Sequence, residues 1–294
     1  IDAPDFNLGL ETRLKAAGIR TMHYVSPSIW AWRAGRIRKI RKAADCVLCI
    51  LPFEPAIYEE HGMSAVFVGH PKADTLSADT DVHAARQALG ISGSGRVVAV
   101  MPGSRAGEVS RLAPIFAAAA VDVAAQHDDV QFVTPVARPK LQSLIEQELE
   151  RHSIHDRFTV VEGRSIECMA AADLVLLASG TAALESALLG KPTVAAYRVA
   201  WLTFKIVMVF NLVKVDRVTL PNLLTGEMLI PEFIQDDATP QAISTEVISL
   251  LDDRERRDGI RSKFAKLHDE LALDANERAA DALIRLVEAG PTGQ

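Results

Sequence analysis

The stretch Val97-Val-Ala-Val-Met-Pro-Gly-Ser-Arg105 joins a short apolar run to a glycine turn, and a helical pattern follows at residues 109–125. The stretch Leu174-Val-Leu-Leu-Ala-Ser-Gly-Thr-Ala-Ala-Leu-Glu185 repeats this order. Runs rich in Val and Leu with little alternation are typical of strands that are buried on both faces of a parallel sheet. The two stretches therefore predict an α/β fold in which both turns open at the same edge of a parallel sheet.

Apolar runs and helical patterns alternate in this way along the whole chain. Strands are predicted at residues 21–25, 46–51, 66–68, 97–101, 130–134, 158–161, 174–178 and 193–197. Helices are predicted at residues 34–44, 109–125, 140–152, 182–189, 242–251, 254–271 and 275–289. This repetition predicts parallel sheets with right-handed crossovers.

The composition of the 294-residue chain limits its class. Hydrophobic residues make up 49% and charged residues 24%, which is typical of a globular protein and excludes a disordered chain. The net charge of −6 argues against a nucleic-acid binder. Three cysteines exclude a disulfide scaffold and indicate a reducing compartment. The most apolar run, residues 201–213, contains Lys205 and is shorter than the ~18 residues of a spanning helix, so it predicts a core helix or a membrane-facing patch.

The length favours two domains. A polar stretch at residues 71–81 has no helical or strand period and is the expected boundary. The predicted division is an N-terminal domain at 1–75, a C-terminal domain at 76–273 and a last helix at 274–294 that packs back towards the N-terminal domain. Only about three strands precede the boundary, and the chain begins with Ile rather than Met. We therefore expect the N-terminal domain to lack its first strands and helices.

The two glycine turns are candidate phosphate sites. Free backbone N–H groups and the helix dipole at Gly103, Ser104 and Arg105 favour an anion, and the arginine supplies a planar charged fork. The alternative is an ordinary turn whose arginine makes a surface ion pair. In the second turn, Ser179, Gly180 and Thr181 allow a ligand to approach the backbone closely. Glu185 could bind ribose hydroxyls, or it could simply stabilise its helix. Neither turn matches GxGxxG or a P-loop, so neither nicotinamide nor ATP is indicated.

Several other features have an ordinary structural alternative. Asn222, in Pro221-Asn-Leu-Leu224, could reach a sugar or phosphate, although a cap or an Asx turn is the commoner use. Asp79-Thr-Asp81 resembles a carboxylate pair for a metal–nucleotide, but its place before a helix favours capping. Cys46-Val-Leu-Cys49 lies inside an apolar strand with no second pair, which argues against a zinc site.

Residues 33–42 carry only basic charges, among them Arg33, Arg36, Arg38 and Lys39. A solvated helix face is the common explanation. Because tryptophans at positions 30 and 32 precede the segment, an anionic membrane surface or a phosphorylated lipid is the alternative partner.

Taken in order, the motifs resemble the lipid-A-disaccharide synthase family of bacterial glycosyltransferases. The resemblance covers essentially the whole chain and ends with residues 275–277. It is carried by Ile1-Asp-Ala-Pro-Asp-Phe-Asn7, Tyr24-Val-Ser-Pro-Ser-Ile-Trp-Ala-Trp-Arg33, Leu51-Pro-Phe-Glu54, Val68-Gly-His70, Pro102-Gly-Ser-Arg105, Ala178-Ser-Gly-Thr-Ala-Ala-Leu-Glu185, Tyr197-Arg198 and Leu220-Pro-Asn-Leu-Leu224.

The resemblance implies a GT-B architecture, with two Rossmann-like domains that face each other across a cleft. It implies transfer of 2,3-diacylglucosamine from UDP-2,3-diacylglucosamine to the 6-hydroxyl of 2,3-diacylglucosamine 1-phosphate (lipid X), with inversion and release of UDP. It also implies work at the cytoplasmic face of the inner membrane, without metal, cofactor or nucleic acid. The helices after residue 242 could form the interface of a homo-oligomer. Family members begin with further strands and helices, so the resemblance implies that roughly 90 residues of a half-domain are absent here.

The resemblance also implies roles for single residues. Inversion needs one general base; Asp2 is the candidate, and Asp5 is the reserve. The donor site is expected to contain Gly103, Ser104, Arg105, Ser179, Gly180, Thr181, Glu185, Arg198 and Asn222. Glu185 would take the ribose, and Arg198 would support the site. Two alternatives stay open: another UDP-sugar enzyme of the same fold, such as a nonhydrolysing 2-epimerase, and an inactive lipid-binding fragment.

Overall fold

The computed structural model describes residues 3–30, 34–91, 93–178, 180–200 and 217–288. The chain divides into two compact units. The first comprises Ile1–Thr75, Lys205–Asp216 and His268–Gln294, and the second comprises Leu76–Phe204 and Arg217–Leu267. The division at 1–75, 76–273 and 274–294 stays a prediction. The predicted segment 201–213 lies outside the described residues.

Helices and strands alternate through both units, with short 3₁₀ turns at Ala34–Arg36, His155–Arg157 and Gln235–Asp237. In chain order, the elements are α1 (Pro4–Ala16), β1 (Met22–Tyr24), α2 (Ile37–Ala43), β2 (Cys46–Cys49), α3 (Glu54–Glu59), β3 (Ser64–Phe67), α4 (Pro71–Thr75), α5 (Val82–Ala88), β4 (Val97–Met101), α6 (Ala106–Gln126), β5 (Gln131–Val136), α7 (Pro139–Arg151), β6 (Phe158–Glu162), α8 (Ser165–Ala171), β7 (Leu174–Ala178), α9 (Thr181–Leu188), β8 (Thr193–Tyr197), α10 (Leu220–Thr225), β9 (Glu232–Ile234), α11 (Pro240–Asp252), α12 (Arg254–Leu271) and α13 (Ala275–Glu288).

The first unit contains a three-stranded parallel sheet in the order β1-β2-β3. Residues of α1, α2 and α3, such as Leu8, Ile40 and Tyr58, are fully buried against it. α13 belongs to the same unit, and the Asp74 carboxylate accepts the N–H groups of Asp274 (3.0 Å) and Ala275 (2.7 Å) at its start. This carboxylate satisfies N–H groups that a helix start otherwise leaves without a partner.

The second unit contains a six-stranded parallel sheet in the order β6-β5-β4-β7-β8-β9. This is the Rossmann order 3-2-1-4-5-6, in which the direction of winding reverses between β4 and β7. The central strands are buried on both faces, and α6 packs its apolar side on them through Val109, Leu112 and Phe116. In open sheets of this kind, ligands bind beyond the carboxyl ends of the strands at the reversal point.

The α/β architecture with parallel sheets is confirmed, and each predicted strand is present. Val97–Met101, Leu174–Ala178 and Thr193–Tyr197 have the predicted bounds. Burial on both faces was wrong for β3 and β6, which lie at sheet edges and are partly exposed. The strand β9 was missed. The stretch 71–81 was expected to be irregular, but it contains α4, and Asp81 caps α5 by accepting the Ala84 N–H at 3.0 Å, as the capping alternative predicts.

Candidate functional site

A cavity of about 430 Å³ lies at the carboxyl edge of the six-stranded sheet, at the reversal point between β4 and β7. Segments that follow four neighbouring strands line it. The first glycine turn contributes Gly103, Ser104 and Arg105, the second contributes Gly180, Thr181 and Glu185, and the other lining residues are Met101, Glu108, Pro135, Ala137, Gly163, Ser165, Ala178 and Ala182. Six predicted donor-site residues therefore meet in one cavity, while Ser179 lies outside the described residues.

Gly103 is needed for the shape of the first turn. Its φ of +123° is in a region that side chains rarely adopt. A Cβ at this position would lie 2.6 Å from the Glu108 Cβ. The turn is therefore closed by a side chain from the first turn of α6, the helix that follows it.

That side chain is Glu108, which the sequence analysis missed. Its Oε2 accepts the N–H groups of Ser104 (3.1 Å) and Arg105 (3.3 Å), and its Oε1 lies 2.7 Å from Nη1 of Arg105. The Arg105 side chain is 80% exposed, so the fork remains open to the cavity. A capping box is recognised by Ser or Thr three residues before the acid, and this position is Arg105 here, so the sequence carries no standard signal for the role of Glu108.

The second turn presents a different surface. α9 begins at Thr181, and its N-cap residue, Gly180, has no side chain that could cap the first turn. Glu185, one turn further along, is partly buried and lines the same cavity. Free N–H groups at a helix start attract anions, so this turn offers a phosphate group donors next to the arginine of the first turn.

Arg198 and Asn222 are not part of the described lining of the cavity. Arg198 follows β8 and is partly buried. Asn222 is 0% exposed; its Nδ2 donates to Ile230 O (2.7 Å) and to Glu232 Oε1 (2.8 Å), and its Oδ1 accepts the N–H groups of Leu229 and Ile230, both at 2.9 Å. These contacts hold residues 229–232 against α10. Ligand contacts of Arg198 and Asn222 stay predictions.

Of the residues with predicted roles in catalysis or membrane binding, Asp2 and Arg33 lie outside the described residues. Asp5 is exposed in the first turn of α1 and forms an ion pair with Arg36 at 2.5 Å. Arg38 and Lys39 are exposed on α2, whose neighbours Ile37 and Ile40 are buried. This is the arrangement of a solvated helix face, and binding to an anionic surface stays a prediction.

The first unit also contains a buried carboxyl group, that of Glu54. The residue is 1% exposed, its Oε2 accepts the Leu51 N–H at 3.1 Å, and its Oε1 accepts Trp30 Nε1 at 3.3 Å. Burial raises the pKa of Glu54 to about 7, although hydrogen bonds from Leu51, Ser26 and Trp30 act in the opposite direction. Glu54 comes after the carboxyl end of β2, and Trp30 comes after the carboxyl end of the neighbouring parallel strand β1. Both residues therefore lie at the same edge of the three-stranded sheet.

The segment after β1 is strained as well as buried. Val25 has a φ of +74°, which is rare for a β-branched residue. Ser26 is buried and lies 2.8 Å from the Tyr58 hydroxyl, and the Trp30 ring packs edge-on against Phe53. Backbone strain of this kind persists only where the surroundings fix it, and it is concentrated at functional sites.

Within the described ranges, no group of three or more His, Cys, Asp or Glu could hold a metal ion. In the same residues, none of the helices is long and apolar enough to cross a membrane.

The chain is similar to known proteins over nearly its whole length. A sequence model of the lipid-A-disaccharide synthetase family matches residues 1–285. The lipid-A-disaccharide synthase of Xanthomonas campestris pv. campestris strain 8004 is 46% identical over 288 residues, which are 98% of this chain and 66% of that protein. The corresponding protein of Pseudomonas aeruginosa strain UCBPP-PA14 is 48% identical over 98% of this chain and 75% of its own length. The chain thus spans about two thirds to three quarters of these relatives.

Solved structures of glycosyltransferases and epimerases share the fold. The Neisseria meningitidis UDP-GlcNAc 2-epimerase, solved with UDP-GlcNAc bound, superposes with a TM-score of 0.62 at 12% identity over 95% of this chain and 73% of that one. The glycosyltransferase WaaG, which is involved in lipopolysaccharide biosynthesis, superposes with a TM-score of 0.54 at 15% identity over 93% of this chain and 80% of that one.

Proposed function

Since the chain belongs to the lipid-A-disaccharide synthase family, we propose that it is part of a lipid A glycosyltransferase and supplies the site for the UDP-sugar donor. The observation that carries this proposal is the cavity at the reversal point of the second unit, where Arg105, the open start of α9 and Glu185 converge. An arginine fork and helix N–H groups suit a diphosphate, and a carboxylate suits ribose hydroxyls.

We further propose the substrates of the family: UDP-2,3-diacylglucosamine as donor and lipid X as acceptor, with lipid A disaccharide 1-phosphate and UDP as products. The acceptor 6-hydroxyl attacks the anomeric carbon, the bond to the UDP oxygen breaks, and the anomeric centre inverts. Arg105 and the N–H groups around Thr181 stabilise the negative charge that develops on the departing diphosphate. Work at the cytoplasmic face of the inner membrane, where the basic face of α2 meets anionic lipid, is part of the same proposal.

The donor site is tested by titrating the chain with UDP in a calorimeter, with and without magnesium. We expect saturable binding that does not depend on magnesium. Arg105→Ala should weaken it by about tenfold to a hundredfold, because the charge-assisted contact to the diphosphate is lost. Arg151→Ala is the matched control, because Arg151 is an exposed arginine that also pairs with a glutamate three residues away. Equal UDP affinity in the wild type and in Arg105→Ala would exclude this donor site.

The proposed base is Asp2, which would take the proton of the acceptor hydroxyl as the glycosidic bond forms. Asp2→Asn, made in the full-length protein, should lower turnover by ~10²-fold or more, because the amide cannot accept that proton. The measurement is formation of the disaccharide from UDP-2,3-diacylglucosamine and lipid X. Asp5→Asn is the comparison, since Asp5 pairs with Arg36. A near-wild-type turnover of Asp2→Asn together with a slow turnover of Asp5→Asn would assign the role of general base to Asp5. Product analysis after incubation with UDP-GlcNAc is a separate test, which would reveal an epimerase.

A further inference from the structure

One of the two acidic side chains that line the donor cavity, Glu108, already occupies the donors of the first turn. The Glu108 carboxylate accepts the N–H groups of Ser104 and Arg105 and pairs with the Arg105 guanidinium, at distances from 2.7 to 3.3 Å. A carboxylate and a phosphate are both anionic acceptors that bind such donors. An N–H group that already donates to the Glu108 carboxylate is not available to a second acceptor in good geometry. A phosphate placed in this turn would therefore compete with Glu108 for these N–H groups and would be repelled by its negative charge.

The backbone of the turn leaves a space that the Glu108 side chain fills. The space beside the Gly103 Cα is filled by Glu108, since a Cβ there would lie 2.6 Å from its Cβ and 2.8 Å from its Oε2. The glycine therefore admits the chain's own acid, as well as any ligand. The Glu108 side chain is 27% exposed and that of Arg105 is 80% exposed, so solvent and ligand reach the arginine more easily than they reach its partner.

We propose that Glu108 competes with the donor diphosphate for Arg105 and for the N–H groups of the Gly103–Arg105 turn. The inference rests on the proposed function, because it concerns the same UDP site. In the empty site, Glu108 holds the arginine and the turn in place. In the occupied site, its charge lowers the affinity for the diphosphate, which speeds the release of UDP after transfer.

The test is the affinity for UDP of Glu108→Gln. A glutamine keeps an oxygen that can accept the backbone N–H groups but lacks the charge. We expect the Kd for UDP to fall by about three- to tenfold, the scale of a partly screened charge pair. The Kd for uridine, which has no phosphate, should not change. The gain should disappear in the double variant Arg105→Ala/Glu108→Gln, because a competitor for Arg105 matters only when Arg105 is present.

Glu148→Gln is the matched control, because Glu148 also pairs with an arginine three residues away, Arg151 on α7. It should leave the Kd for UDP unchanged. A folded Glu108→Gln, checked by circular dichroism, that binds UDP as the wild type does or more weakly would overturn the inference. Glu108→Ala removes both the charge and the cap, and the same comparison of its Kd for UDP with that of the wild type applies to it. Wild-type protein that does not bind UDP would overturn the proposed function as well, whereas UDP binding that responds to Arg105→Ala but not to Glu108→Gln would overturn the inference alone.

Discussion

Asn222→Leu should lower the free energy of unfolding by about 3–5 kcal/mol. The two side chains have similar shapes, so the main loss is of hydrogen bonds rather than of volume. Asn222 is fully buried and binds the Leu229 and Ile230 N–H groups, the Ile230 carbonyl and the Glu232 carboxylate. Each buried polar group that loses its partner costs about 1–3 kcal/mol. The measurement is urea unfolding followed by circular dichroism.

Thr225→Ala is the control for this prediction, because Thr225 lies in the same helix and its hydroxyl makes only a hydrogen bond to the Pro221 carbonyl at 2.8 Å and a long one from the Glu227 N–H at 3.4 Å. Its cost should be about 1 kcal/mol. The same proteins also test the ligand role of Asn222. If the amide acts only in structure, Asn222→Leu that is still folded at low temperature should bind UDP with the wild-type Kd. An Asn222→Leu protein as stable as the wild type would contradict a stabilising role of the Asn222 hydrogen bonds.

The stability of the protein should depend on pH through Glu54. Its pKa is raised from 4.5 to about 7 by burial, so the folded protein retains a proton that the unfolded chain releases at lower pH. The stabilisation is complete below pH 4.5 and is lost as the pH rises to 7. The full change is about 3 kcal/mol. In Glu54→Gln, which is neutral at every pH, this part of the pH dependence should be absent.

The measurement is the difference in unfolding free energy between the wild type and Glu54→Gln at pH values from 4.5 to 8, because the difference removes the contributions of other titrating groups. The wild type should lose stability relative to the variant across this range. Glu59→Gln, an exposed position on the same helix, should show no such trend. A constant difference between the wild type and Glu54→Gln would mean that the buried carboxyl keeps its ordinary pKa.

The central strands of the six-stranded sheet could be predicted because they are buried on both faces. The runs 97–101, 174–178 and 193–197 are almost purely apolar, and nothing in them competes with the strand pattern. The edge strand β9, Glu232–Ile234, could not be found in this way because it is short and begins with a charged residue. β9 lies at the edge of its sheet and is only partly buried, so its sequence carries a weaker apolar signal.

The candidate site was predictable to the extent that it consists of backbone. Glycine turns after buried strands identify the sheet edge where Gly103 and Gly180 meet. What a side chain binds there depends on neighbours that are distant in the sequence. Asn222 is an example, since its amide is occupied by residues 229–232, and the loop geometry that brings them together has no local signature. Glu108 is a second example, because the residue three positions before it is Arg105 rather than the Ser or Thr of a capping box, so its contact with the turn has no standard sequence pattern.

The carboxylate of Asp74 has a consequence for the synthesis of the protein on the ribosome. Its partners, the N–H groups of Asp274 and Ala275, are made two hundred residues later. The first unit contains segments that precede and follow the second unit in the sequence. Its helix α13 therefore leaves the ribosome after the whole of the second unit. During translation, the segments of the first unit that are made early keep apolar surface exposed until α13 is synthesised. By that time the second unit already has all of its described strands. The nascent first unit is therefore the part of the molecule for which a chaperone has the longest time to bind.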